Sequence, residues 1–221
     1  MPRFILRVLA MILFSTTLSC QVISAAVTIP NPIIDDKLAT AKGQQTAVIA
    51  GGCFWGIEAV FEHVKGVISA TSGYSGGEAN TATYEMVSSG ETGHAESVRI
   101  VYDPSQVSYG QLLKVFFAVA HDPTQLNRQG PDSGTQYRSA IFYSSADQQR
   151  IAQAYIDQLD TAKVFNRPIV TQVVPLKAFY EAEGYHQDYL IHHLDQPYIV
   201  VNDLPKVENL RKHLPELYTE K

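Results

Sequence analysis

The sequence predicts an α+β fold, with a mixed or antiparallel sheet and helices on one face. Two observations predict it. Segments of strand and helical periodicity follow one another in the order β-α-β-β-α-β, and glycine, proline or aspartate bounds several of them. The 221 residues, 45% hydrophobic and 18% charged, suffice for one globular core. We therefore expect a single domain over residues 46–221.

The first half of the pattern begins with residues 47–50, a short apolar run that predicts a buried strand ended by Gly51 and Gly52. A helix is predicted next, because apolar residues recur at helical spacing. These are Phe54, Ile57, Val60 and Phe61. Residues 67–74 favour a second strand, which glycines break into a loop.

The second half begins with a strand, because apolar residues alternate from Glu96 to Tyr102 before Asp103 and Pro104 end the run. A helix with an apolar side follows over residues 112–120. Further elements are predicted as a strand at 137–143, an extra capped helix from 145–147 and a last strand at 169–174. This order is close to the split βαβ arrangement of ferredoxin-like folds. The stretch after Pro175 is expected to be a long irregular C-terminal tail.

The N-terminus has the composition of a signal peptide over residues 1–26. Two arginines precede or flank an apolar run at 8–14, no acidic residue occurs before Asp35, and small residues precede a cleavage point after Ala26. We expect the mature protein to be periplasmic or secreted. A retained anchor and a mitochondrial presequence are the alternatives, although the apolar run is shorter than the ~20 residues that span a bilayer. Residues 27–45 are predicted to be an N-terminal arm or linker.

Charge and histidine placement exclude two classes of binding. The formal net charge is -5 and there is no basic run, which argues against binding to a nucleic-acid backbone. The histidines are too scattered along the chain to predict a metal site, so no metal is expected.

The chain has two cysteines, Cys20 and Cys53. If the signal peptide is removed, Cys53 is the single thiol of an exported protein and is not part of a disulfide. It stands between a predicted strand and the start of a predicted helix, where the helix dipole favours negative charge. We therefore expect it to ionise more readily than a free cysteine, with a buried core cysteine as the alternative.

Three neighbouring features add to a candidate site. Phe54 and Trp55 adjoin the thiol and predict an apolar cup for a small methyl-bearing group, with ordinary core packing as the alternative for Phe54. Glu96 falls on the buried face of its strand, which predicts a raised pKa and a proton donor near neutral pH. Slippage of the strand start would instead leave Glu96 exposed.

Six segments in order resemble those of the peptide methionine sulfoxide reductase A family. They are GCFWG at 52–56, GYSGG at 73–77, GHAE at 93–96, HDPT at 121–124, DSGTQYRS at 132–139 and YHQDYL at 185–190. The resemblance covers residues from about 46 to 217. It implies that Cys53 is the nucleophile and Glu96 the acid. It also implies substrate-binding roles: Tyr84 and Tyr137 donate to the sulfoxide oxygen, Asp132 holds a water network, and Phe54 and Trp55 hold the methyl group.

The same resemblance implies the activity: reduction of methionine S-sulfoxide, free or in oxidised proteins, through a sulfenic acid on Cys53, as repair of oxidative damage. No cofactor and no metal are implied. Many relatives carry further cysteines that resolve the sulfenic acid, and the C-terminal tail here has none. The expected partner is therefore an external thiol reductant, thioredoxin-like, glutaredoxin-like or a small thiol, and the chain is expected to be a monomer.

Two other classes stay open at this point. One is a redox-sensing or binding module in which Cys53 records oxidants without turnover. The other is a different cysteine enzyme, such as a thiol peroxidase or an acyl transferase. An acyl transferase needs a histidine base beside the thiol, and His63 is poorly placed for it.

Overall fold

The computed structural model describes residues 29–221. The predicted signal peptide at 1–26, with Cys20, lies outside the described residues. None of the helices within 29–221 is both long enough and apolar enough to cross a membrane.

The longer strands and helices follow the predicted order, and short elements that the pattern did not predict lie between and after them. The strands are β1 (Gln45–Gly51), β2 (Val67–Ser75), β3 (Ala95–Tyr102), β4 (Arg128–Gln129), β5 (Asp132–Ser133), β6 (Ser139–Tyr143), β7 (Gln172–Pro175) and β8 (Phe179–Glu181). The helices are α1 (Phe54–Glu62), α2 (Tyr84–Val87), α3 (Tyr109–Val115), α4 (Ala146–Thr161), α5 (Tyr189–His192) and α6 (Leu204–His213). Two π-helical turns, Phe116–Ala120 and Ile199–Asp203, extend α3 and precede α6.

The main sheet has six strands in the order β7-β6-β1-β3-β2-β8, and β4 pairs separately with β5. Every neighbouring pair in the main sheet is antiparallel except β6 and β7, which are parallel. Strand β3 lies between β1 and β2, the two strands that α1 connects. A mixed sheet combined with helices confirms the predicted α+β class.

Helices α1, α3 and α4 pack on one face of the sheet. Ala47 and Ile49 of β1 belong to a large core that also contains residues of α1, α3 and α4. The intervening Val48 and Ala50 point to the other face, where Phe142 and the chain around β7 and β8 cover them. Side chains of a strand alternate between the two faces of a sheet, so every second residue of the neighbouring strand β3 faces the helices as well.

Local capping fixes the starts of two helices. Ser108 and Gln111 form a reciprocal capping box at α3. At α4 the Ser145 hydroxyl accepts a hydrogen bond from the backbone N–H of Gln148. Each cap satisfies backbone N–H groups that the first turn of a helix leaves without partners.

The segment before β1 is docked on the domain. Ile29 is buried in the main core, and the Tyr155 hydroxyl of α4 donates to the Pro30 carbonyl at 2.7 Å. Asp35 accepts hydrogen bonds from the Gly110 N–H at 2.7 Å and from the Ser108 hydroxyl. The described part of the predicted arm is thus fixed against α3 and α4.

The predicted irregular tail is wrong in part, because β8, α5 and α6 all lie beyond Pro175. Helix α6 has a proline in its first turn, where the missing N–H does no harm. Leu204, Val207 and Leu210 lie three residues apart along it, and Leu210 is its one fully buried residue among those described. The helix is stabilised by packing against α1, which sequence periodicity does not reveal.

Candidate active site

Cys53 is the N-cap residue of α1 and follows a tight turn from β1. Gly52 makes this turn with a φ of +99°, and a Cβ there would lie 2.5 Å from the Gln129 side chain, so the position requires glycine. The turn places the thiol at the helix N-terminus, as the sequence predicts. Cys53 is only 8% exposed.

Glu96 lies directly beside this turn. Its Oε2 accepts a hydrogen bond from the Phe54 N–H at 3.1 Å, and the residue is 3% exposed. Burial raises the pKa of Glu96 to about 8, the Phe54 N–H opposes the rise, and the negative charges of Asp132 and Asp203 add to it. The predicted burial and raised pKa are therefore confirmed, and an exposed strand end is excluded.

The prediction that Cys53 ionises more readily than a free cysteine is wrong for the site without substrate. Burial first, then the charges of Glu96 and Asp203, raise the pKa of Cys53 well above its ordinary value. The Trp55 backbone and the Lys206 ammonium lower this pKa by less. A helix terminus contributes about 0.3–1 kcal/mol, rarely ~2, whereas full burial shifts a pKa by several units. The thiol therefore keeps its proton.

The aromatic neighbours of the thiol differ in exposure. Phe54 is 1% exposed, with its ring centroid 5.0 Å from that of His186, so the core-packing alternative describes its position well. Trp55 is half-buried and stacks on Tyr189 at 3.7 Å with the rings nearly parallel. Its indole N–H donates to His186 Nδ1 at 3.2 Å. These contacts hold the indole in one orientation.

Two tyrosines complete the polar side of the site. Tyr84 is 37% exposed, and its backbone N–H donates to Glu183 at 2.8 Å, which holds the start of α2. Tyr137 lies in the turn before β6. Burial and the charges of Glu96 and Cys53 raise the pKa of both hydroxyls, so each stays a hydrogen-bond donor.

Asp132 lies in β5 and accepts a hydrogen bond from the Tyr198 hydroxyl. Asp132, Tyr198 and Cys53 line a cavity of about 670 Å³. Loop residues between 119 and 132 and the chain from 198 to 206 form most of its wall. The structure thus brings the seven predicted site residues into one region around Cys53.

Sequence reasoning missed several residues that contact this region. His186 and Tyr189 fall in the YHQDYL segment, but their types alone gave no role. Tyr198, Asp203 and Lys206 carried no signal, since they follow Pro175 in the stretch predicted to be irregular. His63 stands at the far end of α1 and stacks on Tyr218, so it is not a base for Cys53. No group of three or more potential metal ligands occurs among residues 29–221.

An α+β domain with a buried thiol beside a protonated carboxyl has the features of a thiol-dependent enzyme. Residues 45–217 match the family model described as peptide methionine sulfoxide reductase. The chain belongs to this family, whose members are oxidoreductases that act on sulfur.

Individual relatives agree with the family match. The chain is 61% identical over 188 residues to peptide methionine sulfoxide reductase MsrA 2 of Mesorhizobium japonicum, covering 85% of this chain and 95% of the relative. It is 55% identical to the MsrA 2 of Synechocystis, covering 83% and 87%.

Two solved structures are similar as well. Reduced Mxr1 from Saccharomyces cerevisiae has 34% identity and a TM-score of 0.62, covering 72% of this chain and 91% of its own. Methionine sulfoxide reductase A of Corynebacterium diphtheriae has 36% identity and a TM-score of 0.60, covering 77% and 85%.

Proposed function

We propose that this chain reduces methionine S-sulfoxide, free or in oxidised proteins, with Cys53 as nucleophile and Glu96 as acid. The observation that carries the proposal is the hydrogen bond of 3.1 Å from the Phe54 N–H to Glu96 Oε2. It holds a carboxyl with a pKa of about 8 next to the residue that follows the thiol. A proton donor and a sulfur nucleophile therefore share one buried site.

The reaction that this pair supports is an oxygen transfer between sulfurs. Glu96 donates its proton to the sulfoxide oxygen while the Cys53 sulfur attacks the sulfoxide sulfur, which forms an S–S bond and leaves a hydroxyl on the substrate sulfur. The S–S bond and the S–O bond to the substrate sulfur then break as the hydroxyl passes to the Cys53 sulfur, and the electron pair of the S–S bond stays on the substrate sulfur. The thiol proton passes to the Glu96 carboxylate, which accepts a hydrogen bond from the N–H of the residue that follows Cys53. In sum, Cys–SH and R₂S=O give Cys–SOH and R₂S, so the cysteine sulfur is oxidised by two electrons and Glu96 ends as it began.

The remaining residues bind the substrate. Tyr84 and Tyr137 stay protonated and donate to the sulfoxide oxygen. Asp132, which is fixed by Tyr198, orders water beside the reacting atoms. The Trp55 face and the edge of Phe54 contact the methyl group, with Trp55 held in place by its stacking on Tyr189.

The direct test is incubation of the protein with free and with peptide-bound methionine sulfoxide in excess dithiothreitol. Methionine is expected from both substrates without added metal or organic cofactor, since dithiothreitol reduces the sulfenic acid. A redox sensor or an acyl transferase would give none, and that result would overturn the proposal.

Stereochemistry gives a sharper test. Only one epimer of a racemic methionine sulfoxide mixture should be consumed, because donors and a rigid aromatic wall on fixed sides of the sulfur accept one arrangement of oxygen and methyl group. The resemblance to the peptide methionine sulfoxide reductase A family implies that this is the S epimer. Chiral chromatography of the residual substrate checks this. Equal depletion of both epimers would contradict the proposed placement of the tyrosines.

Recycling gives another prediction, because Cys53 is the sole cysteine among the residues that the structure describes. Without a reductant, the mature protein should reduce one equivalent of sulfoxide and stop. Cys53 should then be a sulfenic acid that dimedone traps, and turnover should rise with external thiol concentration. Mass spectrometry after substrate alone checks the product. A monomer that has lost two hydrogens would show an internal disulfide with a retained Cys20.

We place this activity in the periplasm or outside the cell, on the basis of the composition of residues 1–26. The reductant is then an external thiol, thioredoxin-like, glutaredoxin-like or small, and the substrates include oxidised exported proteins. The intact mass of the protein from its native host tests the location: a mature chain starting near Val27 supports export, and an unprocessed chain contradicts it.

A further inference from the structure

Asp203 is a buried carboxylate that ordinary helix capping does not explain. It is 0% exposed and stands at the N-cap position of α6, yet it makes no side-chain capping bond there. Its Oδ1 instead accepts a hydrogen bond from Lys206 Nζ at 3.0 Å, and Oδ2 has no hydrogen-bond partner within residues 29–221. Aspartate at an N-cap normally accepts from the first backbone N–H groups. The position of the Asp203 side chain is therefore not explained by capping of α6.

The pair of Asp203 and Lys206 packs against the first turn of α1. A Cβ at Gly56 would overlap Asp203 Oδ1 and would lie 2.8 Å from Lys206 Nζ. Gly56 is three residues after Cys53 and its lack of a side chain gives the ion pair this space. Lys206 also lines the same cavity as Cys53. The ion pair therefore stands directly behind the helix terminus that carries the thiol.

Stability is a weak explanation for the ion pair. Removing two charges from water costs several kcal/mol for each ion, and apolar residues of similar volume often serve the fold as well or better. Asp203 is the last residue of the π-helical turn Ile199–Asp203. Such turns are rare and occur frequently at functional sites. The cost of the buried ion pair and the unusual turn that carries Asp203 both favour a role at the neighbouring thiol and carboxyl.

We propose that Asp203 is a positioning residue of the active site, whose buried carboxylate, held by Lys206, is a fixed negative charge behind α1 that keeps protons on Cys53 and Glu96 until substrate binds. The inference rests on the function proposed above. The charge of Asp203 adds to burial and Glu96, which are the larger reasons that the thiol at the helix terminus stays protonated. Together they give the reaction the two protonated groups from which it begins.

The charges around the site act in the expected directions. Titratable groups face the site from every element around it. They are Cys53 at the N-cap of α1, Tyr84 on α2, Glu96 on β3, Asp132 on β5, Tyr137 before β6, His186 before α5, Tyr198 just before the π-helical turn, Asp203 at the end of that turn, and Lys206 on α6. After burial, Asp203 is among the causes that raise the pKa of Cys53 and of Glu96. Burial raises the pKa of Asp203 above its ordinary value, and the charge and hydrogen bond of Lys206 oppose that rise. Lys206 also opposes the effect of Asp203 at Cys53. Replacing Asp203 with a neutral residue should therefore lower both site pKa values.

Asp203→Asn tests this through two independent readouts, alkylation of the thiol and the pH dependence of sulfoxide reduction. Alkylation of Cys53 by iodoacetamide, without substrate, should become faster at neutral pH and its midpoint should move to lower pH. The gain is about threefold per unit, because a tenfold rise in thiolate is offset by lower nucleophilicity. The alkaline limb of single-turnover sulfoxide reduction should also move to lower pH, because the thiol and Glu96 lose their first proton sooner. A residue that only packs would shift neither midpoint.

Two further variants make the result decisive. Glu208→Gln removes an exposed carboxylate from the same helix, where it pairs with Arg211, and should leave both midpoints unchanged. If Asp203→Asn does not fold, the double variant Asp203→Asn with Lys206→Met removes both charges and should show smaller shifts in the same direction. Unchanged midpoints in the folded variant would overturn the proposal for Asp203. Absence of methionine formation by the unsubstituted protein would overturn the proposed function instead, while the alkylation readout would still report on Asp203.

Discussion

Cys53→Ser is expected to abolish methionine sulfoxide reduction, leaving no methionine above the level of a protein-free control. A serine hydroxyl has a far higher pKa than a thiol and its oxygen cannot take up the sulfoxide oxygen as sulfur does. The measurement is methionine formed in a single turnover and with excess dithiothreitol. Turnover in this variant would show that some other group reacts with the sulfoxide.

The substitution should leave the fold intact, which separates lost chemistry from lost structure. Cys53 occupies the N-cap of α1 without a side-chain capping bond, and serine is among the residues that N-cap positions prefer. We therefore expect a thermal midpoint equal to or above that of the unsubstituted protein. A large drop would mean that the thiol also stabilises the packing around it.

Strand β3 shows what the sequence could predict. Its alternation places Glu96 on the same face as Val98 and Ile100, and all three are buried as expected. The end of β3 is predicted by Asp103 and Pro104, which follow it. The start of α4 is predicted by Ser145, its N-cap residue. These features depend on local periodicity and turn chemistry, which a single sequence displays.

The part of the site that residues after Pro175 form could not be predicted in this way. The Trp55 indole meets His186 across 131 positions of the chain, and nothing near either residue signals the contact. Asp203 reaches α1 only because α6 folds back against it, and nothing in the sequence shows that α6 packs there. Tertiary packing therefore supplies this part of the site, while local pattern supplies the part around Cys53.

The protonation of Cys53 illustrates the same limit in electrostatic terms. The strand-to-helix turn was visible in the sequence and predicted a favoured anion. Burial, Glu96 and Asp203 all raise the thiol pKa, and each of them acts through the folded arrangement. Position at a helix terminus could be predicted, but the balance of charge and solvent around it could not.

Glu96→Gln is expected to slow single-turnover sulfoxide reduction by about 10²–10⁴-fold, the range that general acid catalysis contributes. The amide keeps an oxygen that can accept the hydrogen bond from the Phe54 N–H, which is 3.1 Å long in the unsubstituted protein. It has no proton to give to the sulfoxide oxygen near neutral pH. Rapid-quench measurement of methionine formed before recycling isolates this step, and an unchanged rate would assign the acid to another group.

Stability should move in the opposite direction to activity, which makes the result hard to ascribe to misfolding. Glu96 has a pKa of about 8 in the fold against 4.5 as the ordinary value, so between these values the folded state binds a proton that the unfolded state has lost. Stability of the unsubstituted protein therefore falls as pH rises through that window, by up to ~1.4 kcal/mol per pH unit. Gln carries no such penalty, so the variant should gain stability relative to the unsubstituted protein as pH rises from about 4.5 to 8. Urea unfolding across this range checks the sign, and a variant that loses relative stability with rising pH would contradict a protonated Glu96.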